Sequence, residues 1–90
     1  PMLPSHSDLT YFVAVAQTGN LSHAATRLGL AQPSLTLAMQ RLEHACGAPL
    51  LVRTRGGVKL TKAGERVYAE AHALIHRWED LKSQAQASMA

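Results

Sequence analysis

Between Ser22 and Gly56 the chain collects side chains that hydrogen-bond well and react poorly. Gln32, Ser34, Thr36 and Gln40 fall within nine residues, and Arg53 and Arg55 follow beside Gly56. Glutamine can pair bidentately with adenine, and short hydroxyls serve a base edge or a phosphate. Arginine suits phosphate contact and insertion into a narrow minor groove. This is the chemistry of recognition. No catalytic constellation accompanies it: there is no glycine-rich phosphate loop and no defensible arrangement of Ser, His and Asp. His72 and His76, four apart, could share a metal, but no third ligand is evident and a surface pair is the commoner explanation. Cys46 near His44 could be a reactive thiol; a small buried or part-buried residue at a helix end is the plainer reading. We therefore expect no metal, no cofactor and no enzymatic activity.

Charge placement points the same way. The 90 residues carry nine Lys/Arg against six Asp/Glu, a formal +3. The stretch 41–62 holds Arg41, Arg53, Arg55, Lys59 and Lys62 against Glu43 alone, which is +4, so the remainder is −1. Positive charge gathered in one short segment fits a polyanion. With 47% apolar and 17% charged residues, disorder is not expected. A chain of this size makes one thin-cored domain, which disfavours a large enzyme and favours a binding module. A single cysteine excludes an internal disulfide and, with no membrane-length apolar run and no signal-like start, suggests a cytoplasmic setting. Pro1 ahead of Met2 reads as a tag remnant.

The punctuation predicts four helices and one hairpin. Ser5-His6-Ser7-Asp8 offers N-cap chemistry with an acid in the first turn, and Leu9, Phe12, Val13 and Ala16 trace one face of a first helix over about 7–18. Gly19 stops it, Asn20 caps a second helix, and Gly29 stops that one near residue 28. Gln32-Pro33 opens a third helix running to about Ala45, before Gly47 and Pro49. Leu50–Thr54 and Val58–Thr61 are β-prone runs around a tip at Arg55-Gly56-Gly57. Thr61 caps a long fourth helix over about 62–87.

Residues 21–42 carry the main signal. Ala25-x3-Gly29-x5-Leu35 has a steric reason at each position. A small residue lets two helices cross closely, a glycine takes the turn at positive φ, and a leucine faces back onto the first helix. A basic two-stranded wing after such a pair makes a winged helix-turn-helix. On the fourth helix Val67, Ala71, Leu74, Trp78, Leu81 and Ala85 form a heptad stripe, widened by Tyr68 and Ile75. One side can pack on its own domain while the other meets a second copy. A rival reading keeps that helix as a coiled-coil interaction module with no nucleic-acid role; the basic wing argues against it.

Many of these residues, in order and spacing, resemble the N-terminal domain of LysR-type transcriptional regulators. The runs are Leu9-x2-Phe12, Ala14-Val15-Ala16, Gly19-Asn20-Leu21-Ser22, Ala24-Ala25-x2-Leu28, Gln32-Pro33-Ser34-Leu35-Thr36, Leu42-Glu43, Gly47-x2-Leu50-Leu51-x-Arg53 and Leu60-Thr61-x-Ala63-Gly64, within about residues 8–75. The resemblance implies a mainly α fold: three helices and a two-stranded wing over 1–61, then a linker and dimerisation helix over 62–90. It implies a third helix in the major groove of double-stranded DNA, a wing at the minor groove, and a homodimer through the fourth helix that reads an inverted repeat. An effector-sensing domain normally follows in that family, where full-length proteins also form tetramers; no such domain lies within these residues, and no effector ligand is implied. A cytoplasmic, nucleoid-associated protein with no membrane partner is expected.

Two positions depart from the family pattern. Ala31 stands where Ser often caps the third helix, and Leu37 where Arg or Lys is usual, so apolar contact with a thymine methyl replaces a hydrogen bond there. The expected DNA contacts are Gln32 to a base, Pro33 and Ser34 to a methyl or a base edge, Thr36 to a base or a phosphate, Leu37 to a methyl, and Gln40 at the groove edge. Ser22 and His23 open the second helix, where free N–H groups favour phosphate. Arg41 could reach a phosphate or pair with a nearby acid. Arg53, Arg55 and the Gly56 backbone serve the wing. Lys59 and Lys62 act at longer range.

Overall fold

A computed structural model describes residues 6–89. The expected tag remnant Pro1 and the Ser5 part of the first cap lie outside the described residues. The order is α1 (His6–Thr18), α2 (Leu21–Leu28), α3 (Gln32–Cys46), β1 (Leu51–Thr54), β2 (Gly57–Leu60) and α4 (Lys62–Ala87). This is a mainly helical winged helix-turn-helix followed by one long helix.

The helix ends follow from local chemistry. Asn20 Oδ1 accepts the His23 N–H at 2.9 Å and satisfies a donor that α2 could not pair internally. Gly29 takes φ 70°, and the Leu30 N–H then reaches back to the Ala25 carbonyl at 2.9 Å. α3 starts at Ala31 with no side-chain cap, as expected from the missing hydroxyl. Thr61 Oγ1 accepts from Gly64 N–H at 2.9 Å and donates to the Pro49 carbonyl at 2.7 Å, so one residue caps α4 and closes the wing.

Phe12, Val15, Leu35, Leu42 and Leu50 form the innermost core, each at most 2% exposed. The buried face of α1 is turned from the expected one. Asp8, Phe12, Ala14 and Val15 are buried, whereas Leu9, Val13 and Ala16 are only half-buried. The cause is position: α1 packs against α2, α3 and α4 at once, so a single stripe of the expected width does not describe it.

β1 and β2 pair antiparallel, with Leu51 opposite Leu60, Val52 opposite Lys59, Arg53 opposite Val58 and Thr54 opposite Gly57. The turn is Arg55-Gly56; Gly57, expected at the tip, is the first residue of β2. Its φ is +144°, and a Cβ there would collide with the Gly19 carbonyl oxygen. The neighbouring Val58 N–H donates to that same carbonyl at 2.9 Å. Gly57 is thus bare because the wing lies directly on the α1–α2 turn.

α4 divides in two. Ala63, Val67 and Tyr68 pack against the core and Ala71 is 1% exposed. Beyond it Leu74, Trp78 and Leu81 are 53%, 43% and 53% exposed. Val67 and Ala71, expected in a dimer stripe, are therefore claimed by their own domain. At about 1.5 Å per residue the 26-residue helix runs about 39 Å. The molecule measures 53 × 26 × 25 Å, so α4 outruns the domain beside it. Among the described residues no helix is long and apolar enough to cross a membrane.

Candidate nucleic-acid interface

α3 presents its outer face because Leu35, Ala38, Met39 and Leu42 hold the inner one in the core. Gln32, Pro33, Thr36, Leu37 and Gln40 border one shallow hollow along the outer side, with Leu37 57% exposed. Ser34, in the first turn, is also exposed. A second hollow joins the helix to the wing: Thr36 and Gln40 border it together with Arg53. The outer face of α3 and β1 thus form one continuous surface. Arg55 and Gly56 are exposed at the tip of the wing, and Lys59 and Lys62 are exposed farther along.

Ser22 and His23 sit exposed at the start of α2, beside α3. Ser22 Oγ donates to Gln32 Oε1 at 2.7 Å, a link between the two helices across nine intervening residues that sequence reading does not reveal.

Arg41 is the site residue that the fold takes elsewhere. Its Nη2 lies 2.9 Å from Asp8 Oδ1 and its Nε 3.1 Å from Asp8 Oδ2, a two-pronged pair with a carboxylate 1% exposed. The Asp8 hydrogen bond raises the Arg41 pKa above its ordinary value. Of the two roles open to Arg41, pairing with an acid is the one found. It ties α3 to α1. A buried carboxylate needs such a partner, because an isolated one is costly to desolvate. The acid in the first turn of α1 is thus also part of the helix–helix packing.

Glu43 has a similar positioning role. Its Oε2 accepts from the N–H groups of Leu50 and Leu51, at 2.7 and 3.2 Å. These bonds fix the root of the wing against the end of α3. They also turn the one acid of the 41–62 stretch onto backbone donors. His44, exposed one turn beyond Gln40, extends the outer face of α3. The Gln40–His44 spacing could have signalled it, yet sequence reading linked it only to Cys46.

The remaining candidates lie on the other side. Cys46 is exposed, not buried or part-buried, and borders a hollow with Leu9, Leu42, Val67 and Leu74. His72 Nε2 lies 3.3 Å from Tyr68 Oη. Among the described residues no group of three His, Cys, Asp or Glu could hold a metal.

Residues 6–65 match the family described as bacterial regulatory helix-turn-helix protein, lysR family. The chain is 52% identical over 67 residues to the HTH-type transcriptional regulator BudR of Raoultella terrigena, covering 74% of this chain and 23% of that protein. It superposes on the crystal structure of the CbnR_DBD–DNA complex with TM-score 0.91 at 35% identity, covering 96% of this chain and 99% of that one. The BenM_DBD/catB site 1 DNA complex gives 0.89 at 32% identity, covering 96% and 97%. The chain spans about a quarter of the length of BudR of Raoultella terrigena and of the Hca operon transcriptional activator HcaR of Escherichia coli.

Proposed function

The chain belongs to the lysR family of bacterial regulatory helix-turn-helix proteins, and from that premise we propose that it is the sequence-specific, duplex-DNA-binding part of a transcription regulator. The observation that carries the proposal is the continuous surface on which Thr36 and Gln40 of α3 meet Arg53 of the wing. α3 enters the major groove. Gln32 and Thr36 meet base edges, Pro33 and Leu37 make apolar contacts, and Ser34 and Gln40 reach the groove walls. Arg53, with Arg55 and the Gly56 backbone, meets the minor groove or the phosphates beside it. Ser22 and His23 approach phosphate at the start of α2.

Residues 6–61 supply this surface, and α4 supplies the pairing of two copies through Leu74, Trp78, Leu81 and Ala85. A two-fold dimer sets two α3 helices about 34 Å apart, one turn of duplex, and the target is then an inverted repeat. The role is binding rather than catalysis, and the setting is the bacterial cytoplasm. The DNA carried in the two solved relatives supports the partner.

The test is selection from a randomised duplex pool followed by sequencing. The expected result is an inverted repeat with half-sites about one helical turn apart. Salt-sensitive binding that enriches no sequence would reduce the role to non-specific DNA binding.

A further inference from the structure

We propose that Ser22 is a positioning residue that sets which base Gln32 reads. The inference rests on the DNA-binding reading above. It starts from the 2.7 Å hydrogen bond in which Ser22 Oγ donates to Gln32 Oε1. A glutamine amide has an acceptor oxygen and a two-donor nitrogen on opposite limbs of one planar group. Pinning the oxygen to α2 turns the nitrogen away from α2, toward the α3 hollow that Gln32 borders with Pro33, Thr36, Leu37 and Gln40. The groove then meets donors.

That changes the expected readout. Bidentate pairing with adenine needs both limbs: Nε2 donates to N7 while Oε1 accepts from the N6 amino group. A guanine edge offers only acceptors, N7 and O6, in the major groove. With its oxygen held by Ser22, Gln32 matches guanine better than adenine. Without that hydroxyl the amide is free to turn and to accept adenine as well. Ser22 is exposed and has no core contacts to lose, so its removal leaves the fold intact.

The experiment measures the guanine-to-adenine preference at each base pair of the selected site for the 90-residue chain, for Ser22→Ala and Ser22→Thr, and for each of these changes with Gln32→Ala. Ser22→Ala should lower that preference about tenfold at one base pair per half-site and leave the other positions unchanged. Ser22→Thr keeps the hydroxyl and should keep the preference. With Gln32→Ala already present, Ser22→Ala should have no further effect at that base pair, because the two residues act as one unit. A loss of affinity spread equally over all sequences would make Ser22 a phosphate contact only and overturn the proposal. So would an unchanged preference in Ser22→Ala. An unsubstituted chain that enriches no site would instead overturn the sequence-specific reading on which the proposal rests.

Discussion

The α3–wing face and the distal half of α4 are both open to solvent, and they are built from opposite chemistry. The first displays amides, hydroxyls and cations: Gln32, Thr36, Gln40, Arg53 and Arg55. Its one nearby acid, Glu43, is spent on the N–H groups of Leu50 and Leu51. The second displays Leu74, Trp78 and Leu81. Its charges cancel, Arg77 and Lys82 against Glu79 and Asp80. Lys82 lies 3.0 Å from Glu79 and 5.9 Å above the Trp78 ring, so part of the cancellation is local. A field of one sign suits a polyanion, whereas an apolar stripe with balanced edges suits a copy of itself. Exposure alone does not reveal a partner; what is exposed does.

Salt should separate the two faces most strongly. With about six phosphates contacted, raising salt from 50 to 200 mM should weaken DNA binding about 10³-fold, because counterions released on binding become harder to release. Dimer dissociation, followed by sedimentation over the same range, should change little. Equal sensitivity of both would erase the distinction drawn here.

Charge placed on the apolar face comes next. Trp78→Glu with Leu81→Glu should yield a folded monomer by sedimentation. It should weaken binding to a two-half-site duplex by about 10²-fold, since the second half-site no longer binds as part of the same complex. Binding to a single half-site should be nearly unaffected. A variant that stays dimeric would remove the distal stripe from the interface.

The smallest effect sharpens the contrast. Ala31→Ser supplies the cap that α3 lacks and should raise stability by about 1 kcal/mol in thermal or denaturant unfolding. The dimer constant should not move, because Ala31 stands at the start of α3 whereas Leu42, Ala45 and Cys46, near its other end, border α4. A change there would mean that the two surfaces are coupled through the domain.

Much of the architecture was legible because its signals are local. Asn20 and Thr61 cap the helices that follow them, and Gly29 makes the turn that Ala25-x3-Gly29-x5-Leu35 requires. Each depends on atoms three to five residues away. Asp8 looked like a first-turn acid because its partner, Arg41, is 33 residues distant. Ser22 and Gln32 looked like separate contacts because a turn divides them. Gly57 looked like a loop tip because Gly19, whose carbonyl it accommodates, belongs to another element.

The same division runs through α4. Its heptad spacing settles that one stripe of the helix is apolar, since side chains three and four apart share a face whatever surrounds them. Where the stripe passes from core to surface is another matter. Ala71 is buried and Val67 half-buried because α1 and the end of α3 stand beside the first turns, whereas Leu74, Trp78 and Leu81 stay largely exposed even though the His6 ring comes within 6.0 Å of Trp78. Periodicity belongs to the covalent chain and its helix geometry. Burial belongs to which other elements arrive, and those are brought there by contacts far apart in the chain.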